Sequence, residues 1–518
     1  MAHAARIFFP LAWICTLILS GCSSSNTQTA SPALPNIVVF YVDDLGYGDL
    51  GVYGAQGVET PEVDRIAQNG LMFTDAHSSA ATCTPSRFSL LTGIYAFRNQ
   101  ARVLEGDAPL LIDPEGYTLP KMLQAAGYAT GVVGKWHLGL GNGSVDWNQE
   151  IKPGPAEVGF DYSFLIPATG DRVPTVYTEN GHVIGLDPED PIKVSYKGPV
   201  GDRPIGLENP ELLRQGADEQ HAKTIVNGIS RIGYMEGGEK ALWVDEEFPD
   251  VLNEKAIDFI DSHEDKPFFL YYSYHDIHVP RLPNPRFKGK STMGPRGDAI
   301  AQMDWMTGQI VRELEERGLA ENTLIIFTSD NGPVLNDGYM DQSVDLLGDH
   351  KPAGPFRGGK YSAYEAGTRV PTIAYWPGNI QPGKSNALMT QVDIYASIAA
   401  LIGHPLATDE AIDSENHLEA WLGTTQTGRQ TMLEESYTLS LRTPQWKYIE
   451  PVPKGKGFGW IKRKGIEGGF EQVPQLFELT ADEGEQENLA ETHPELVVEF
   501  QQQIDDWKAR TQRTQQAQ

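Results

Sequence analysis

Four uninterrupted runs of β-branched and aromatic residues constrain this chain more than any other feature: Asn36 to Val42, Ala129 to Val133, Phe268 to Tyr272 and Leu324 to Thr328. A run without polar alternation suits a strand covered on both faces, as in a parallel sheet. Helix-like stretches such as Pro120 to Ala126 and Glu254 to His263 lie between the runs. Buried strands alternating with helices predict a doubly wound α/β sheet. Each run also ends in residues of a different kind. Asp43-Asp44 follows the first, Gly134-Lys135-Trp136-His137 the second, His275 and His278 the third, and Asp330-Asn331-Gly332 the fourth. Ligands of open α/β sheets bind outside the carboxyl ends of the strands, so these four ends converge on one rim and mark a site.

A chain of 518 residues holds a large α/β domain and a smaller one. The pattern changes near residue 420, which divides a domain over 36–420 from a smaller α+β unit over 421–518. In the second part Ser440 to Glu450 and Gln475 to Thr480 read as short half-buried strands. Leu496, Val497, Phe500, Ile504 and Trp507 fall at helical spacing in a terminal helix from Pro494 to Arg510. The result is a small antiparallel sheet with a covering helix. The Gly-, Pro- and Asp-rich stretch from Gly141 to Pro249 reads as an insertion over the site.

The N-terminus is a targeting segment. Arg6 precedes an apolar run from Ile7 to Leu19, too short to span a membrane comfortably, so 1–21 reads as a signal peptide. Leu19-Ser20-Gly21-Cys22 resembles the lipobox of bacterial lipoproteins, with Cys22 as the lipid-bearing first residue and 22–35 as a tether; the alternative is a plain signal peptide. The chain is then exported and held at a bacterial membrane, in the periplasm or at the cell surface, with the anchor as its sole membrane contact. Of three cysteines, Cys15 leaves with the signal peptide and Cys22 is capped, so Cys83 stands alone and no disulfide framework forms. A formal net charge of -29 argues against nucleic acid or an anionic membrane surface as the partner. An anionic substrate would need a local positive field made by lysine, arginine or a metal.

Cys83-Thr84-Pro85-Ser86-Arg87 is the sharpest motif. Thr82 or Cys83 can cap a helix beginning near Thr84, Pro85 is tolerated in the first turn, and Phe88, Leu90 and Leu91 supply a buried face. Cys83 then sits at a positive helix terminus, which favours a nucleophilic thiolate or a bound anion.

Cys-X-Pro-X-Arg followed by Ser89 to Gly93 resembles the signature of type I sulfatases. Asp43-Asp44, Gly134 to Gly139, His275 to Pro280, Asp330 to Gly332, Gly359-Lys360 to Pro371 and Leu476 to Leu489 resemble the family in the same order. The resemblance implies an alkaline-phosphatase-like mixed sheet flanked by helices. It implies that a maturase oxidises Cys83 to formylglycine, whose hydrate attacks sulfur with one hydroxyl and expels sulfate with the other. It implies Ca2+ held by Asp43, Asp44, Asp330 and Asn331, an oxygen set suited to a hard cation, although Asp-Asp or Asp-Asn-Gly alone is a common turn after a strand. Arg87 would hold the diol and support the metal site. Lys135 and Lys360 would bind sulfate, His137 would orient the diol, and His278 would be the general acid. His275 is a substrate or supporting candidate, and Thr169 stands where some members place a sulfate-contacting serine.

The pattern is similar to arylsulfatase A-like and N-acetylgalactosamine-6-sulfatase-like enzymes. It implies desulfation of polysaccharides or oligosaccharides, algal or glycosaminoglycan, with a 6-O-sulfated galactose-type sugar as the expected substrate. Two other readings are a phosphoester or phosphonate monoester hydrolase of the same superfamily and an inactive glycan-binding lipoprotein.

Overall fold

In the computed structural model the four apolar runs lie side by side in one ten-stranded sheet. The structure describes Met1 and residues 34–455 and 458–516, so the expected signal peptide, Cys22 and almost all of the tether fall outside the described residues. Five central strands run parallel in the order Thr323–Ser329, Asn36–Val42, Phe268–Ser273, Ala129–Lys135 and Tyr162–Ile166. Antiparallel pairing begins on both sides. Thr372–Tyr375 pairs antiparallel with Thr323–Ser329, and Thr178–Glu179 pairs antiparallel with Tyr162–Ile166, so the sheet is mixed.

The central strands lack polar alternation because both faces are covered. Val38, Phe40 and Val42 pack with Leu270, Ile325 and Phe327 against helices Pro61–Gln68, Phe248–Asp261 and Gly294–Glu316. The alternate residues Ile37, Val39 and Tyr41 are fully buried on the opposite face. Strand boundaries shift only slightly from the expected ones, but the helix expected from Glu254 begins at Phe248. Pro249 occupies its first turn, where the missing N–H costs no hydrogen bond.

From Pro35 onward the chain forms one compact unit. Its C-terminal part is a four-stranded antiparallel sheet in the order Met432–Glu435, Leu439–Arg442, Trp446–Ile449 and Gln475–Glu478, followed by helix Pro494–Gln516. The first of these strands was not anticipated. Buried ion pairs join this sheet to the main body. Glu365 accepts from Arg442 at 3.2 Å and Lys447 at 3.2 Å, while Asp75 accepts from Arg442 at 3.0 Å and bonds His77 at 2.9 Å. Asp75, His77 and Glu365 cluster as metal ligands do, but Arg442 and Lys447 neutralise the two carboxylates. Among the described residues no helix is long and apolar enough to cross a membrane.

Candidate active site

The carboxyl ends of the four runs are laced together by main-chain bonds. Asp330 N donates to Val42 O at 2.9 Å, Asp43 N to Asp276 O at 3.0 Å, and Ile277 N to Asp43 O at 2.8 Å. Gly134 adopts φ +108°, and a Cβ there would collide with the Ser273 carbonyl oxygen, so a glycine is required before Lys135. The next turn is pinned by Trp136 N to Ile166 O and His137 N to Pro167 O, at 3.0 and 3.2 Å. Asp44 and His137 both have left-handed backbone, φ 62° and 52°, an uncommon state for such residues.

Helix Cys83–Thr92 starts as expected, but Thr82 makes no side-chain cap bond. The Thr84 hydroxyl instead donates to His137 O at 2.9 Å, tying the helix start to the strand-end turn. Cys83 Sγ lies 3.3 Å from His137 Nδ1. The other ring nitrogen, Nε2, donates to Leu104 O at 2.9 Å, which leaves the Nδ1 lone pair directed at residue 83. Burial, reinforced by Lys135, holds His137 well below the usual histidine range, so the ring is neutral. Burial raises the Cys83 thiol, so the helix terminus does not make it a thiolate.

Arg87 is wholly buried. It donates to Asp330 Oδ2 from Nε at 3.0 Å and from Nη2 at 2.7 Å, and from Nη1 to Ser273 Oγ. Burial opposes its charge, but Asp330 and Asp43 hold it protonated; at Asp330 burial is overcome by Arg87, Lys135 and Lys360 together, which lower that carboxyl. Lys135 donates to Asp43 Oδ2. Lys360 donates to Asp44 Oδ2 at 2.9 Å and to Asp337 Oδ2 at 3.1 Å. Asn331 Nδ2 donates to Asp44 Oδ1 at 2.8 Å. His278 Nδ1 donates to Val279 O at 2.7 Å, leaving Nε2 3.9 Å from Asp44 Oδ2. Burial, with Lys360 and Lys135, keeps His278 neutral as well.

The oxygen set fits a hard divalent cation. Asp43 Oδ1 and Asn331 Oδ1 are buried without a hydrogen-bond partner. Burial, together with Asp330, raises the Asp43 and Asp44 carboxyls, the strain expected of anions crowded at a cation site. Asp43, Asp44 and His278 place ligand atoms within 4.8 Å of one another.

A cavity of about 360 Å3 opens over this cluster, with Cys83, His137, His278 and Lys360 in its wall. The insertion from Gly141 to Pro249 does cover it, contributing Asp171, Arg172, Gln220 and His221. Arg172 donates to Asp171 Oδ1 at 2.6 Å and to Thr169 Oγ1 at 2.8 Å. His221 bridges Asp218 at 2.6 Å and Asp171 at 3.4 Å; the two carboxylates overcome burial and raise its pKa.

Two expected substrate residues stand back from the wall. Thr169 spends its hydroxyl on Asp171 and Arg172. His275 packs on Phe248 and His278, at 5.0 and 6.1 Å between ring centroids, and is pushed down to about 3 by burial and Lys135. Sequence reasoning missed Asp171, Arg172, His221, Asp337, Trp460 and Lys464. Asp337 alone had a nearby signal, lying a few residues beyond Asp330-Asn331-Gly332.

A family model described as Sulfatase matches residues 35–404. An N-acetylgalactosamine-6-O-sulfatase of Bacteroides thetaiotaomicron is 50% identical over 501 residues, covering 95% of this chain and 97% of the relative. Human arylsulfatase A is 34% identical over 404 residues, covering 77% of this chain and 70% of the relative. A solved structure from work on the metabolism of multiple glycosaminoglycans by Bacteroides thetaiotaomicron superposes with a TM-score of 0.90 at 51% identity, covering 92% of this chain and 99% of that one. With Cys83, the histidines, the lysines and the carboxylate cluster gathered at one rim, and a family match over most of its length, this chain belongs to the sulfatase family and is a hydrolase of sulfuric esters.

Proposed function

We propose that this sulfatase removes 6-O-sulfate from N-acetylgalactosamine units of glycosaminoglycan-type glycans, with residue 83 acting as formylglycine and Ca2+ held by Asp43, Asp44, Asp330 and Asn331. The observation that carries the reading is the pairing of Cys83 with the His137 Nδ1 lone pair at 3.3 Å, in a chain 50% identical to an N-acetylgalactosamine-6-O-sulfatase. The formylglycine hydrate supplies a nucleophilic hydroxyl and a second one that releases sulfate; the cation supplies a Lewis-acidic anchor for oxygen. The remaining chemistry belongs to the side chains. His137 Nδ1 takes a proton from the group at position 83. Lys360 and Lys135 stabilise charge on the sulfuryl oxygens. His278 Nε2 faces the same wall and delivers a proton to the leaving sugar oxygen; an anionic ester beside it raises its pKa from the depressed value toward that role.

Maturation by a formylglycine-generating enzyme follows from the Cys83-Thr84-Pro85-Ser86-Arg87 motif. Export with a lipid anchor on Cys22 is supported by the apolar run and by Leu19-Ser20-Gly21-Cys22. Protein coexpressed with a maturase is assayed for sulfate release from 6-sulfated N-acetylgalactosamine, its 4-sulfated isomer and 6-sulfated N-acetylglucosamine, with mass spectrometry of the residue-83 peptide alongside. Preference for the first substrate by a formylglycine-bearing protein is expected. Equal or better turnover of either alternative would overturn the substrate assignment.

A further inference from the structure

The cavity at Cys83 has a neighbour. A second cavity of about 530 Å3 shares Gln220, Trp460 and Lys464 with it and adds Arg463, Met340 and Asn336. A pocket of the first cavity's size suits one sulfated sugar, so the next unit of a chain lies beyond it, and the shared wall is the ground it would cross.

The segment that brings Trp460 and Lys464 to that wall is basic, unlike the chain as a whole. The chain has 41 basic and 70 acidic residues, yet Trp460 to Gly465 carries Lys462, Arg463 and Lys464 and no acid. Arg463 is exposed and has no ion-pair partner among the described residues. Lys464 donates to Asp337 Oδ1 at 2.7 Å, while the same carboxylate receives Lys360, so one anion serves two ammonium groups. Two acids face this side. Asp218 is paired with His221 at 2.6 Å, which leaves Glu219 alone opposite the two cations. Trp460 is steadied by Tyr361 and Tyr437, at 5.0 and 5.8 Å between ring centroids, and is only half-buried.

We propose that Trp460, Arg463 and Lys464 form a subsite that reads an anionic group, a carboxylate or a sulfate ester, on the sugar adjoining the one being desulfated. The inference rests on the sulfated-glycan reading above. The Trp460 ring offers a flat apolar platform for the second sugar. Arg463 offers a planar fork that matches a carboxylate or sulfate in two-point contact, and Lys464 adds a point charge beside it.

The test measures kcat/KM for sulfate release by formylglycine-bearing wild type and Arg463→Ser on four substrates with 6-sulfated N-acetylgalactosamine at the non-reducing end. These are the monosaccharide and disaccharides whose second sugar is a uronic acid, a sulfated hexose or a neutral hexose. Wild type is expected to favour an anionic neighbour over the neutral one by about tenfold, the size of one partly exposed charge-assisted contact. Arg463→Ser is expected to erase that preference and leave the monosaccharide rate unchanged. A preference for only one anionic disaccharide identifies carboxylate or sulfate as the group read. Equal rates on neutral and anionic disaccharides in wild type, or a preference surviving in Arg463→Ser, overturns the subsite while the sugar-sulfatase reading stands. Failure of wild type on all four overturns that reading and the subsite with it.

Discussion

Arg87→Gln tests whether a buried ion pair holds the metal-side carboxylate in place. The guanidinium gives two bonds to Asp330 Oδ2, at 3.0 and 2.7 Å, and further ones to Ser273 Oγ and Lys135 O. Both partners are fully excluded from solvent. Deleting one member of such a pair leaves an uncompensated buried charge and costs about 3–5 kcal/mol. A glutamine amide recovers one hydrogen bond, so the lower end is expected. Unfolding entropy of ~2.1 cal/mol/K per residue over a unit of roughly 480 residues is about 1 kcal/mol/K, which converts the loss to a Tm drop of about 3–4 °C. Catalysis should suffer more than stability. A displacement of Asp330 by ~1 Å misplaces the cation site relative to residue 83 and costs on the order of 100-fold in turnover. Scanning calorimetry at fixed scan rate, and sulfate release normalised to formylglycine content, read the two effects. A variant with Tm within ~1 °C of wild type and turnover within about twofold would refute the reasoning at both levels.

Three other outcomes follow from the same geometry. His278→Gln should slow release from sugar sulfates, with their poor leaving groups, far more than from aryl sulfates; an equal loss on both would remove His278 as the proton donor. Chelation with EDTA should abolish turnover and lower Tm, because Asp43 and Asp44 are crowded anions whose repulsion a cation relieves, and Ca2+ should restore both; a chelator-resistant Tm and rate would count against the cation site. Asp304 caps helix Pro61–Gln68 by accepting from Val63 N at 2.8 Å, and burial raises its carboxyl to about 7. Its folded pKa exceeds the unfolded one, so its contribution to stability is complete at acid pH and is lost as pH rises from about 4 through 7. Asp304→Asn should flatten the fall in Tm between pH 5 and pH 8; an unchanged slope would contradict the assignment.

The legibility of this chain was uneven for a physical reason. Residues that act at strand ends travel with their strands. Once Asn36 to Val42, Ala129 to Val133, Phe268 to Tyr272 and Leu324 to Thr328 are read as doubly buried, parallel packing brings Asp43, Lys135, His278 and Asp330 to one rim. Cys83 and Arg87 were legible because the helix start and its motif are local. Asp171, Arg172, His221, Trp460 and Lys464 share no period or spacing with the nucleophile. They come from an irregular insertion and from a connection within the C-terminal sheet, and their approach to Cys83 depends on contacts between segments far apart in the chain. The same holds for protonation and pairing. The helix terminus suggested a thiolate at Cys83, but complete burial raises the thiol instead. The bonds of the Thr169 hydroxyl to Asp171 and Arg172 likewise had no signal in the sequence. Propensity and hydrophobic pattern are local quantities that a linear reading can recover. Desolvation and long-range pairing exist only after the chain has closed on itself.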